Sequence, residues 1–202
     1  MAGRVRVYLE TGAKRTFASA ADWPGWSRSG KDEESALENL AAYAPRYARV
    51  AKLAHIEFPL DGWNFNVVER LEGNATTDFG APGVPARGES KPMTEGDAKR
   101  MVALLEASWK YLDNVRAKAP EALRKGPRGG GRDREKMYVH VLDAEVGYAP
   151  AIGLKLTQPD RKVLLETIRK PQKDTRWPVA YAVRRIAWHA LDHAWEMEDR
   201  IP

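Results

Sequence analysis

The sequence predicts an α+β fold in which a small N-terminal αβ module, an antiparallel sheet plus helix, precedes a four-helix bundle. Three observations carry this reading. Residues 4–10 alternate polar and apolar side chains, the period of a half-buried strand; apolar residues recur at helical spacing from Asp32; and beyond residue 93 the character is helical throughout.

Taken in order, Arg4-Val5-Arg6-Val7-Tyr8-Leu9-Glu10 reads as a strand, Thr11-Gly12-Ala13-Lys14 as a turn, and residues 15–20 as the return strand of a hairpin. Asp22-Trp23-Pro24-Gly25-Trp26 marks a second turn, followed by a short polar stretch ending at Gly30. Asp32 is a natural N-cap for a helix through Ala36, Leu37, Leu40, Ala41, Tyr43 and Ala44, and Pro45 either kinks it or separates it from a second helix over 46–54. Residues 65–71 read as a further strand of the same sheet, closing a module over 1–72. Residues 73–92 carry Gly and Pro with little periodicity and are expected to be a linker.

The second part, 93–202, opens with Thr94 and Asp97 in capping-box spacing, followed by a helix through Met101, Leu104, Leu105, Ser108, Leu112 and Val115 that stops before Pro120. A Gly-rich turn over 126–131 precedes a helix from about 133 to 149. A shorter helix over 161–168 follows, and a long one runs from Trp177-Pro178 to about Arg200. Helices of this number and length suggest the bundle, whose core commonly holds metal sites.

Length and composition bound the rest. The 202 residues suffice for a buried core, and 43% hydrophobic with 30% charged residues is the balance of a globular chain. The absence of Cys excludes disulfides, thiolate metal ligation and a cysteine nucleophile. No apolar run approaches a membrane span, and the first residues alternate Arg with Val where a signal peptide would be apolar, so the expected compartment is the cytoplasm. Residues 1–92 hold 12 basic against 12 acidic residues and 93–202 hold 21 against 16. The excess concentrates between Arg116 and Lys136, a stretch suited to an anionic substrate or nucleic acid, or simply to water.

The chemistry lies in the histidines. Of four in the chain, His189 and His193 sit four apart in the last helix, which stacks them on one face about 6 Å apart; composition alone gives roughly 0.08 such pairs. His140, among apolar residues on a helix expected to face the last one, is the third candidate ligand; otherwise it is a core histidine satisfied by a backbone or carboxylate partner. Three imidazoles suit Zn, Ni, Fe or Co and leave a coordination position open. Glu196 follows on the same face, as a fourth ligand, an orienting carboxylate, a general base or a plain ion pair. Arg185, one turn before His189, is placed to bind an anionic substrate group or to complete a basic surface. His55 has no partner in its helix and reads as structural or exposed. Trp177, Tyr181, Trp188 and Trp195 either line a pocket or pack a core.

The pattern around His140, Tyr-x-His-Val-Leu-Asp-Ala-Glu-x-x-Tyr, together with His189-Ala-Leu-Asp-His193-Ala-Trp-Glu196, resembles the DinB-like family of metal-binding four-helix bundles over about residues 93–202. The resemblance implies a divalent metal, usually Zn or Ni, held by His140, His189 and His193. It also implies thiol-dependent S-transferase or isomerase chemistry on a small molecule with a low-molecular-weight thiol, and a homodimer. The first part is similar to the HicB-like αβ module in its two strands, its Asp-x-Pro-Gly turn and its acidic helix start at Asp32-Glu33-Glu34-Ser35-Ala36-Leu37. No helix-turn-helix follows, so the module is expected to serve packing, dimerisation or substrate gating.

A metal-dependent enzyme is therefore expected, in which a thiol or water at the open position becomes the nucleophile; a hydrolase would use the same ligands. The alternative is a non-catalytic regulatory protein whose basic stretch contacts nucleic acid or a protein partner around a structural metal.

Overall fold

The computed structural model describes residues 4–59, 64–126, 131–170 and 174–202. Strand β1 (Arg4–Thr11) pairs antiparallel with β2 (Thr16–Ala20), and Gly12 donates its N–H to the Arg15 carbonyl at 2.9 Å to close the hairpin. The polar stretch is itself a strand, β3 (Ser27–Gly30), antiparallel to β2. It carries no apolar alternation because its inward contact is polar: the Ser27 and Ser19 hydroxyls bond at 2.6 Å in a buried position.

Helix α1 (Glu33–Ala42) starts where Asp32 accepts from the Ser35 amide, and α2 (Ala44–Leu53) is a separate helix with Pro45 in its first turn, where the missing N–H costs nothing. Both helices complete the aromatic core of the module. Trp26 stacks on Tyr47 with centroids 5.7 Å apart and donates its indole N–H to the Leu40 carbonyl at 2.8 Å.

The fourth strand, β4 (Asn64–Glu72), joins on the far side of β1, giving the order β3-β2-β1-β4. It runs parallel to β1, with a register shift at Val7/Tyr8, so the sheet is mixed where an antiparallel one was expected. The reason is topological: α1 and α2 form the crossover that a parallel return requires.

Residues 73–92 carry α3 (Ala75–Phe79), capped by Asn74, and a 3-10 turn over Arg87–Ser90. They are tied to both sides. The Glu10 carboxylate accepts from the Gly83 and Val84 amides at 2.8 and 3.1 Å, and Glu89 forms a buried ion pair with Arg184 at 2.6 Å.

Four helices follow: α4 (Glu95–Lys118), opened by the reciprocal Thr94–Asp97 box; α5 (Arg134–Tyr148); α6 (Arg161–Arg169); and α7 (Val179–Asp199). The Gly-rich turn expected before α5 lies largely outside the described residues. Helix α7 packs against α4 and α5, and α4 also against α6 and α2. Its first thirteen residues, Val179 to Leu191, are all buried. The sheet module covers one side of α7: Trp188 meets Phe17 edge-on at 5.9 Å, and Gly25 lies so close that a β-carbon there would stand 2.7 Å from Leu191 and 3.1 Å from the Ala187 backbone. One apolar cluster consequently runs from Val5 to Met197 through both parts. No helix among the described residues is long and apolar enough to cross a membrane.

Candidate metal centre

Helix periodicity brings His189 and His193 to one face of α7, and the packing of α5 on α7 sets His140 opposite them. The three rings form a triangle with centroids 5.0 Å (His140–His189), 5.0 Å (His140–His193) and 4.7 Å (His189–His193) apart. One nitrogen from each lies within 4.8 Å of the others. On a tetrahedral ion with bonds near 2 Å, ligand nitrogens stand about 3.4 Å apart, so modest ring rotation closes the difference.

The electrostatics favour the neutral ring at His140 and His189, the form that coordinates a cation. Burial first, then the neighbouring His193 and His140, pushes His189 from 6.5 down to about 2. His140 is lowered by the same kinds of cause, burial leading and His193 next. His189 Nδ1 is buried and has no hydrogen-bond partner, the kind of orphaned atom a bound ion would satisfy.

Glu196 stands beside the triad. Its Oε2 is 3.1 Å from His193 Nδ1, and Arg200 Nη1 donates to its Oε1 at 2.9 Å. The His193 contact, followed by that to Arg200, holds the Glu196 carboxyl below its usual range against the opposing effect of burial. A carboxylate accepting at Nδ1 places the proton there and leaves the His193 Nε2 lone pair for a cation. Glu196 also lines a cavity of about 660 Å³ with Arg28, Tyr43, Asp192 and Trp195, so the N-terminal module supplies part of the wall next to the triad.

Arg185 is 8% exposed and clamped between aromatic faces, its guanidinium 5.4 Å from the Tyr148 ring and 4.8 Å from that of Trp188. Those two rings also flank His189, at 5.9 and 6.1 Å. Arg185 donates to the Pro82 carbonyl at 3.4 Å and has no carboxylate partner among the described residues. Its neighbour Arg184 is structural, consumed by Glu89.

The aromatic residues divide. Trp177 meets Tyr148, the ring beside His189, at a tilt and 5.3 Å, and Tyr181 edge-on at 5.0 Å, whereas Trp195 packs on Tyr43 of the N-terminal module at 5.0 Å. His55 lies just past the end of α2, exposed, with φ of 56°, apart from the histidine cluster. Sequence reasoning did not single out Arg200 or Tyr148 as site residues; the i+4 spacing from Glu196 to Arg200 was the available signal for the first.

The fold and the cluster together define a mixed α+β chain with a candidate tri-histidine cation site on its two facing helices, α5 and α7. Comparison with family models, curated proteins and solved structures returned no match.

Proposed function

We propose that this chain is a divalent-metal-dependent enzyme of DinB-like type, acting on a small molecule by thiol-dependent transfer or isomerisation. The observation that carries the reading is the convergence of His140, His189 and His193 from two helices. Zn or Ni fits three neutral imidazoles best, with Fe or Co also compatible. Bound there, a divalent ion supplies Lewis-acid chemistry that lowers the pKa of a thiol or water at its open position.

The chain's own residues supply the rest. Glu196 fixes the tautomer and direction of His193, and Arg200 fixes Glu196. Tyr148 flanks His189 with apolar surface and is backed by Trp177, and such cover strengthens charge interactions by excluding water. Arg185 holds its cation next to that wall, ready for a substrate carboxylate. In the basic stretch Arg116 and Arg134 both pair with Glu135, which takes two of its cations away from any nucleic-acid surface.

The test is thiol consumption. Zn-loaded protein incubated with a low-molecular-weight thiol and an electrophilic acceptor should deplete free thiol faster than the chelator-treated chain and faster than a His189→Ala variant. Equal rates in all three would reject thiol chemistry.

A further inference from the structure

The structure sorts the basic stretch between Arg116 and Lys136, of which Arg128 lies outside the described residues. Arg116 and Arg134 share the Glu135 carboxylate at 2.5 and 2.8 Å, and Arg124 donates to the Asp199 carbonyl at 2.7 Å at the end of α7. Lys118 lines a cavity beside α2, and Lys125 lines the cavity walled by Trp195. Arg132 and Lys136 remain. Neither has an ion-pair partner among the described residues, and both line a cavity of about 380 Å³ together with His140.

The placement is directional. Lys136 lies one helical turn before His140 on α5, and Arg132 lies just ahead of that helix, so the two cations lead along one face to the triad. Of the acids on the cavity, Glu135 is already held by two guanidinium groups, leaving Asp143 as the remaining carboxylate. The first turn of α5 adds the positive end of a helix dipole.

We propose that this cavity is the approach to the triad and that the substrate carries an oxyanion, a carboxylate or a phosphate, which Arg132 and Lys136 receive while the reacting end lies at the three histidines. The inference rests on the metal-centre reading and adds the substrate class and the two residues that select it. Both cations are exposed, so each contributes modestly, and removing both is expected to weaken an anion roughly three- to tenfold.

The experiment uses the full chain loaded with Co(II), whose visible absorption reports that the site is filled, and reads anion binding by isothermal titration calorimetry. Inorganic phosphate and acetate are titrated separately, so the two arms distinguish a phosphate from a carboxylate. The expected result is saturable binding of at least one of them, weakened by that factor in an Arg132→Met/Lys136→Met variant that binds Co(II) as the parent does. Equal anion affinity in parent and variant, or no response to either anion, overturns the inference and leaves the metal centre standing. Failure of the parent to bind Co(II) removes the metal centre and the inference together.

Discussion

The Glu196 carboxylate is held on one oxygen by Arg200 and meets His193 Nδ1 with the other, 2.9 and 3.1 Å away. Arg200 is itself buried and pinned: its Nε donates to the Arg124 carbonyl at 2.7 Å, and its carbonyl accepts from the Arg124 amide at 2.9 Å. A single chain of contacts thus runs from the C-terminal end of α7 to a candidate ligand. Removing the carboxylate in Glu196→Ala should weaken Zn(II) binding about 10- to 100-fold, measured by competition with a chromophoric chelator, whereas Glu196→Gln, which keeps an acceptor, should lose less. Unchanged affinity in both variants would show that the contact is only an ion pair.

The metal-free chain should be acid-sensitive through His189. Its folded-state pKa is depressed to about 2 from 6.5, so the native state resists a proton that the unfolded chain accepts. The stabilisation from the neutral ring is therefore present above about pH 6.5 and is lost progressively as the pH falls below it. Thermal melts of the chelator-treated protein between pH 8 and pH 4 should show this decline, and His189→Leu should flatten it. Parallel pH profiles for the two proteins would contradict the burial of a neutral imidazole there.

Docking of the sheet module on α7 depends on Gly25. Its φ of +92° is strained for any other residue, and a methyl group would press on Leu191 and the Ala187 backbone. Gly25→Ala should lower stability by about 1–3 kcal/mol in denaturant unfolding. A change below a few tenths would mean the turn relaxes away from α7.

The 73–92 segment should matter to stability through Glu89. The Arg184–Glu89 pair is almost wholly buried, so Glu89→Leu leaves a cation without its partner in the interior and should cost about 3–5 kcal/mol. Arg184→Met combined with Glu89→Leu should recover part of that loss. Double-variant stability no better than that of Glu89→Leu alone would argue that the pair acts chiefly by filling space.

Local signals in the chain account for the longer helices, whereas the five-residue α3 lies in the stretch expected to be a linker. Asp32 and Thr94 each cap a helix where their side-chain chemistry predicts one, and Pro45 separates α1 from α2. The candidate ligands were legible for a related reason: i,i+4 spacing is a property of one helix, and His140 needed only the packing of α5 on α7. Strand β3 was not legible, because Ser27-Arg28-Ser29-Gly30 satisfies its pairing through backbone and a buried serine contact without apolar alternation. The direction of β4 was hidden too, since alternation reads the same in parallel and antiparallel strands. The Gly and Pro of 73–92 suggested a linker, but Glu10 and Glu89, both distant or unremarkable in sequence, fasten that segment to the sheet and to α7. Ion pairs across such separations leave no periodic trace.

Metal stoichiometry tests the central claim most directly. The chain is stripped with chelator, reloaded with Zn(II), dialysed, and assayed by elemental analysis beside His140→Ala, His189→Ala and His193→Ala variants whose folding is confirmed by circular dichroism. Close to one ion per chain in the parent, with little or none retained by each folded variant, is the predicted result. An ion retained equally by all four proteins, or by none, would contradict a coordination sphere shared between α5 and α7.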